Sequence, residues 1–361
     1  EGRKEDARES FSLGFFSLIV ISSVIGIIIF LFRYRVATAL GATPSLMKGV
    51  IEYLVILCLC VPFFTGGSYL AAGIRTMGMP TFSMFCTVLG SVLNIILDYV
   101  FVVLWGWGVA GAALASGIAF FISFLLAFIK IQSKDSILKL KKCKINLRKI
   151  GRFFYNGSSE ALTEVAVAFT TFIFNIVLMR KIGEMGVSAF SIIQYIASLV
   201  VAVYVGIANG ITPIISYNYG AKKGERINEL IKYASKVMVI LGIICTGFLF
   251  FGGETLISFF VSNDKILLET TSLACKIYSL AFLVSGLNIL ASSYFTALED
   301  AKTSAIISFL RGIALIFIGI IVLPAIMGDS GIWLTVAFSE FLTLLIALVL
   351  LKKSKSKLIQ L

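Results

Sequence analysis

The sequence predicts an all-α membrane protein: a two-lobe polytopic helical bundle with a pseudo-two-fold repeat, ten spans being present of an expected twelve. Three observations lead there. Hydrophobic residues make up 59% of the 361 residues and charged ones only 14%, whereas soluble domains hold about 45–50% and 25%. The apolar residues fall in continuous runs long enough to cross a bilayer, which takes about 20 residues per helix. The order of these runs then repeats within the chain.

Taken in order, the spans lie near residues 11–32, 50–73, 81–105, 109–129, 157–179, 187–215, 234–259, 268–296, 303–324 and 331–351. Turn chemistry separates them: Gly41-Ala-Thr-Pro44, Gly78-Met-Pro80, Trp105-Gly-Trp-Gly108, Gly183 to Gly186, Gly220 to Gly224 and Ser262-Asn-Asp264. Unbroken apolar runs of this length exclude a β-barrel, whose strands alternate over about ten residues. With the N-terminus inside and the spans alternating, 23 of the 31 Lys and Arg residues fall on one face and seven on the other, with Arg311 inside a span. The positive-inside rule makes the richer face cytoplasmic, so both chain ends are expected there, in a multi-pass protein of the plasma membrane. This distribution explains the net charge of +12 without nucleic acid, which is not an expected partner. The predicted domains are an N-lobe at 1–129 with four helices, a basic cytoplasmic linker at 130–152, and a C-lobe at 153–361 with six.

A repeat underlies that uneven division. Gly2-Arg-Lys-Glu-Asp-Ala-Arg8 resembles Gly220-Ala-Lys-Lys-Gly-Glu-Arg226, Tyr69-Leu-Ala-Ala72 resembles Tyr294-Phe-Thr-Ala297, and Gly108-Val-Ala-Gly111 pairs with Asp329-Ser-Gly-Ile332. The second copy has two additional helices, 157–179 and 187–215, so two more are expected to precede Glu1. Repeated halves are common in transporters, where the substrate path lies between them.

Composition also excludes chemistry. There is no histidine, which removes Ser-His and Cys-His nucleophile pairs, His-ligated zinc, haem held by His and histidine proton relays. The six cysteines form no CxxC pair, and Cys58, Cys60, Cys86, Cys245 and Cys275 lie in or beside apolar runs, where thiols pack as small hydrophobes. No G-x-x-x-x-G-K-[ST] loop occurs, so ATP use is not expected. No catalytic residue, cofactor or structural metal is predicted.

The informative residues are ionisable groups inside spans, which cost roughly 2.5–3.5 kcal/mol each on insertion scales and therefore need a partner, a wet cavity or a function. Asn94 and Asp98 are i,i+4 neighbours on one helical face. Folding the chain back at Trp105-Gly-Trp-Gly108 brings Ser116 to nearly the same depth. A carboxylate, an amide oxygen and a hydroxyl at one level suit a proton or a hard cation such as Na+; they equally suit a polar contact between two helices. Glu160, Glu164 and Asn175 form a stripe along one helix, expected to serve a substrate cavity or a second cation site, although Glu160 near the helix start also complements the helix dipole. Arg311 and Glu340 lie 16 and 13 residues from a turn at Met327. Their depths differ by about 4.5 Å at 1.5 Å rise per residue, and a structural ion pair is expected. Among the 31 Phe residues, most face lipid or pack, and some are expected along any path for an aromatic cation.

Together these segments resemble the multidrug and toxic compound extrusion (MATE) transporters, in particular their bacterial drug exporters. The resemblance rests on Gly90-Ser-Val-Leu-Asn-Ile-Ile-Leu-Asp98, Gly108-Val-Ala-Gly-Ala-Ala-Leu-Ala-Ser116, Gly157-Ser-Ser-Glu-Ala-Leu-Thr-Glu164, Gly206-Ile-Ala-Asn-Gly-Ile-Thr-Pro-Ile-Ile-Ser-Tyr-Asn-Tyr-Gly-Ala221, Leu310-Arg-Gly312 and Gly331-Ile-Trp333, in this order. It implies twelve helices in two lobes, alternating access, and secondary active export of cationic amphipathic compounds by antiport with protons or sodium, the protein working as a monomer. It further implies that Asn94, Asp98 and Ser116 form a cation-coupling site completed by an Asp on a first helix that this chain does not contain. A flippase of lipids or lipid-linked oligosaccharides from the same superfamily is the alternative. It would need several cationic cavity residues for pyrophosphate, and Arg311 is the one basic residue at mid-span. A membrane-embedded lipid enzyme is the remote alternative, opposed by the missing His and nucleotide loop.

Overall fold

The computed structural model of the chain describes residues 4–39, 42, 44, 46–261 and 264–358, with side chains through Ser354. Gly2 and Arg3 of the repeat, Gly41 and Thr43 of the first turn, Ser262 and Asn263, and the side chains of Lys355 and Lys357 lie outside the described residues. The described residues form α1 (Lys4–Leu31), α2 (Arg33–Ala39), α3 (Met47–Thr76), α4 (Pro80–Asp98), α5 (Gly108–Ile131), α6 (Leu147–Lys181), α7 (Glu184–Gly220), α8 (Gly224–Ser258), α9 (Lys265–Ser279), α10 (Phe282–Ala297), α11 (Ala301–Phe309), α12 (Leu315–Met327) and α13 (Asp329–Leu358). Two π-helical segments extend α4 (Tyr99–Leu104) and join α11 to α12 (Leu310–Ala314). Nine helices among the described residues are long and apolar enough to span a bilayer, α11 and α12 counting as one, and the tenth expected span is a bent pair.

That bent pair is α9 and α10, which meet at 47°. No proline lies in the bend; carbonyls on either side of it take side-chain donors from neighbouring helices. Thr246 Oγ1 donates to the Ser279 carbonyl at 2.9 Å, and Tyr204 Oη donates to the Phe282 carbonyl at 2.9 Å. Gly242 permits this approach, since a Cβ there would stand 2.7 Å from the Phe282 oxygen. In a bilayer each such carbonyl must find a donor within the protein, which is why a buried tyrosine and threonine cluster at the break.

The helices form two compact units, Glu1–Phe153 and Phe154–Leu361. In the first, α1 packs on α3, α3 on α5 and α4 on α5, around Phe15, Leu70, Ile74, Cys86, Ala127 and Ile131. In the second, α8 packs on α9 and α10, both of these on α13, and α12 on α13, with α7 against α9 and α10. One of its two cores includes Phe174 stacked on Phe190 at 4.8 Å between ring centroids.

The internal repeat is visible in the turns, in a register that differs from the sequence reading. Met77 N bonds to the Gly73 carbonyl, Gly78 N to Arg75 and Met79 N to Ile74; Leu298 N bonds to Tyr294, Glu299 N to Thr296 and Asp300 N to Phe295. Each bond of the first set recurs 221 positions later, from residue 73 to residue 294 onward. Ser83 Oγ donates to the Ala71 carbonyl at 2.9 Å as Ser304 Oγ does to Ser292 at 3.0 Å, again 83 to 304 and 71 to 292. Gly78 and Glu299 share a positive φ (82° and 61°), and so do Gly106 and Gly328 (70° and 62°). Tyr69-Leu-Ala-Ala72 therefore does not correspond to Tyr294-Phe-Thr-Ala297, because Tyr294 matches Gly73. The error is four residues, about one helical turn, over which an apolar pattern looks nearly unchanged.

The expected linker is also shorter and better ordered than its charge suggests. α6 already begins at Leu147. The preceding segment lies against the first unit: Lys141 N donates to Ser12 Oγ at 3.1 Å, Arg8 Nε to the Ile137 carbonyl at 3.3 Å, and Lys141 Nζ pairs with Glu5 at 2.9 Å. Leu138 and Leu140 pack on the first unit's core. Apolar side chains interspersed among the lysines account for the docking.

Candidate functional site: a carboxylate at a π-helical break and a cavity in the second unit

In the first unit, α4 carries Asn94 and Asp98 and α5 carries Ser116. Asn94 Nδ2 donates to Ser116 Oγ at 3.2 Å. That bond commits the amide nitrogen and leaves the amide oxygen, which cannot donate, to face other partners. Asp98 follows one turn later and ends the regular helix, because Tyr99–Leu104 is π-helical. Asp98 makes no hydrogen bond to Asn94 or Ser116; its Oδ1 is buried with no partner among the described residues. The three residues thus share one region but only two touch. Leaving a buried carboxylate oxygen unmet costs free energy, and a proton or a cation is the kind of group that would meet it. π-segments add a residue to the turn and recur at functional positions, and no sequence signal announced this one.

The second unit encloses a cavity of about 800 Å³ between α6, α7, α10 and the α11–α13 hairpin. Its wall combines small apolar side chains and the rings of Phe190, Tyr195, Tyr278 and Phe282 with many hydroxyls and amides, and its charged residues are Glu160, Arg311 and Glu340. Of the expected stripe, Glu160 and Asn175 line the cavity. Glu164 does not: although it shares their helical face, it is not among the residues of this wall.

Arg311 and Glu340 do form an ion pair, with Nη2 and Oε1 at 2.8 Å and side chains 16% and 7% exposed. Their surroundings complete it. Asn288 Nδ2 donates to Glu340 Oε2 at 2.6 Å and to the Glu340 carbonyl at 2.8 Å. Ser339 Oγ donates to the Arg311 carbonyl at 2.6 Å, and Thr170 Oγ1 to the Gly312 carbonyl at 3.0 Å. Both acceptors lie in the Leu310–Ala314 π-segment, whose carbonyls the wider turn leaves open to side-chain donors. Sequence reasoning found the pair but missed Asn288, a single amide within an apolar helix; its position in mid-span was the available signal. Glu160 has no ion-pair partner among the described residues, so the cavity's charged set is one cation and two carboxylates.

Comparison with known proteins follows the same lines. The multidrug export protein MepA of Staphylococcus aureus is 24% identical over 362 residues, covering 99% of this chain and 79% of that protein. MepA of Staphylococcus saprophyticus is 24% identical over 341 residues, 93% of this chain and 75% of the relative. Among solved structures, MATE in complex with MaL6 matches with a TM-score of 0.92 at 18% identity, over 99% of this chain and 81% of that one. An outward-facing multidrug resistance MATE family transporter of the MOP superfamily matches at 0.89 and 18%, over 98% and 80%. These likenesses establish the fold. The family model for MatE matches residues 1–100 and 161–322, and with most of the repeat and the cavity wall inside that match, the chain belongs to the MatE family.

Proposed function

We propose that this protein is a secondary active multidrug exporter of the plasma membrane, moving cationic amphipathic compounds by antiport with protons or sodium, with its two units acting as the two lobes. The observation that carries the cationic preference is the charge balance of the cavity. Arg311 is neutralised at 2.8 Å by Glu340, which leaves Glu160 as the carboxylate without a counter-ion among the described residues, on a wall whose remaining groups are neutral and include the rings of Phe190, Tyr195, Tyr278 and Phe282. Such a surface attracts a hydrophobic cation through charge and through ring faces and repels a pyrophosphate, which weighs against a lipid-linked sugar flippase. The names of the MepA relatives support export of drugs.

Asp98, with Asn94 beside it, is the proposed coupling site: cation binding there favours one arrangement of the lobes, in which drug is held less tightly. A ligand shifts a conformational equilibrium only through such a difference in affinity. Accumulation of a fluorescent cationic dye in inverted vesicles, with pH and sodium gradients imposed separately, tests the reading. Uptake driven by one of the two gradients is expected; equal accumulation with neither gradient, or none with either, rejects antiport.

The basic side is proposed to be cytoplasmic, and with it Lys141. A cysteine introduced at Lys141, in a background lacking the native cysteines, is expected to react with a membrane-impermeant maleimide only after cells are opened. Labelling in intact cells reverses the orientation.

A further inference from the structure

A second hollow in the second unit takes no part in the function above. It is a groove of about 380 Å³ between α6 and α11, and it shares no lining residue with the cavity. The two helices run side by side in one direction: Thr163 Oγ1 donates to Ser308 Oγ at 2.8 Å and, further along both, Thr170 Oγ1 donates to the Gly312 carbonyl at 3.0 Å. Tyr155, Ser158 and Leu162 line the groove from α6, and Lys302, Ile306 and Phe309 from α11. Each set steps by three or four residues and so forms a stripe along its helix. Tyr155 and Lys302 stand at one end, before the bond from Thr163 to Ser308. Seven residues separate Tyr155 from Leu162 and Lys302 from Phe309, so each stripe is about 10.5 Å long at 1.5 Å rise per residue.

The two ends differ in chemistry. Lys302 is exposed, with no ion-pair partner among the described residues. The carboxylate two residues before it, Asp300, is committed to capping α11, accepting from Thr303 N at 3.2 Å and Thr303 Oγ1 at 2.7 Å. The Tyr155 hydroxyl also has no partner among the described residues. The apolar runs of these two spans begin near residues 157 and 303, which sets Tyr155 and Lys302 at the headgroup level, where amphipathic rings and long cationic side chains belong. Leu162, Ile306 and Phe309 continue into the hydrocarbon, and Ile306 and Phe309 are exposed. The repeat shows which part of this the fold requires. Thr81, Phe85 and Val88 stand 221 positions before Lys302, Ile306 and Phe309, so both units keep the apolar stripe and the second unit adds the cation.

We propose that the groove is a binding site for one anionic phospholipid, with the phosphate held by Lys302 and the Tyr155 hydroxyl and an acyl chain lying along Leu162, Ile306 and Phe309. An unpaired ammonium at headgroup level complements a phosphate, and the apolar stripe below it complements a chain. A free phosphate would use the Lys302 end and leave the stripe bare; a zwitterionic lipid would bring its own cation next to Lys302. The site needs only that the chain spans a bilayer, and it stands apart from drug export and ion coupling.

Native mass spectrometry of the purified, delipidated protein, titrated with phosphatidylglycerol or with phosphatidylcholine of the same chains, tests the site. Wild type is expected to retain one phosphatidylglycerol at concentrations where phosphatidylcholine is lost. Lys302→Gln should weaken phosphatidylglycerol retention about fivefold, the effect of one basic residue near anionic lipid, and leave phosphatidylcholine unchanged. Ala305→Trp, which fills the groove while keeping Lys302, should also lose the bound phosphatidylglycerol. Lys232→Gln, at an exposed lysine near the start of α8 outside the groove, should behave as wild type. Equal retention of the two lipids by wild type, or of neither, overturns the proposal. So does wild-type retention in Lys302→Gln or in Ala305→Trp, and so does an equal loss in Lys302→Gln and Lys232→Gln, which would mark diffuse attraction to the whole basic face.

Discussion

Asp98→Asn is expected to abolish gradient-driven export while leaving insertion, folding and dye binding near wild type. The substitution keeps the size of the side chain and most of its hydrogen-bonding capacity, and removes only the charge that a proton or sodium ion neutralises. The structure sharpens the expectation, because Asp98 is not spent on holding helices together. The hydrogen bond between α4 and α5 at this level is made by Asn94 and Ser116 at 3.2 Å, and the buried Oδ1 of Asp98 meets no partner among the described residues. If Asp98 were a helix contact, an amide would replace it for about 0.6 kcal/mol, the average for polar contacts in membranes. Dye efflux near the normal rate in well-expressed Asp98→Asn vesicles therefore rejects the coupling role. Asn94→Ala and Ser116→Ala should give intermediate rates, since each deletes a neutral group and leaves the carboxylate.

How far the sequence led depends on the kind of interaction. Long apolar runs and their turns read directly, because a bilayer forces backbone groups to be satisfied within each helix; α5, read as 109–129, spans Gly108–Ile131. The pairing of Arg311 with Glu340 was legible for the same reason, since charges in hydrocarbon must find each other. What escaped were features set by neighbouring helices. The bend between α9 and α10 depends on Tyr204, Thr246 and Gly242, far away in sequence. The two π-segments, one starting just after Asp98 and one containing Arg311, add a residue to the turn, which no sequence pattern announced. The hydrogen bonds that join Thr163, Ser292, Ser304 and Ser308 draw on three helices, and serines scattered through apolar runs carry no periodic signal. The one-turn slip in the repeat has the opposite cause: periodicity was present but too uniform to fix the register.

Those π-segments also bear on how the two units work. One lies in the third span of the first unit and the other in the fifth span of the second, each at an ionisable residue, and in each the residue is held differently. Asp98 has a buried oxygen with no partner, whereas Arg311 is bound by Glu340 and by donors to its own backbone carbonyl. A group with an unmet oxygen and a group already satisfied fit the different tasks proposed for them, coupling in the first unit and shaping a cavity in the second.

Glu340→Gln should accordingly be the most destabilising single change, and its rescue the most informative. The guanidinium of Arg311, 16% exposed, would lose its counter-ion, and breaking a buried pair by removing one partner costs about 3–5 kcal/mol because the surviving charge is left uncompensated. A lower Tm in detergent and poor yield are expected. Replacing both residues with apolar ones of similar length, Arg311→Met with Glu340→Leu, removes the orphan charge and should recover most of the stability, as apolar substitution of whole buried pairs often does. Asn288 keeps the Glu340 main-chain oxygen as an acceptor in either variant, so its loss adds only about 1 kcal/mol. Glu160 is untouched, and the double variant should therefore still bind cationic dye. A Glu340→Gln protein as stable as wild type would show that Arg311 is not held by this pair. A double variant that folds and binds dye but exports none would mean that the pair moves during transport, beyond maintaining the wall of the cavity.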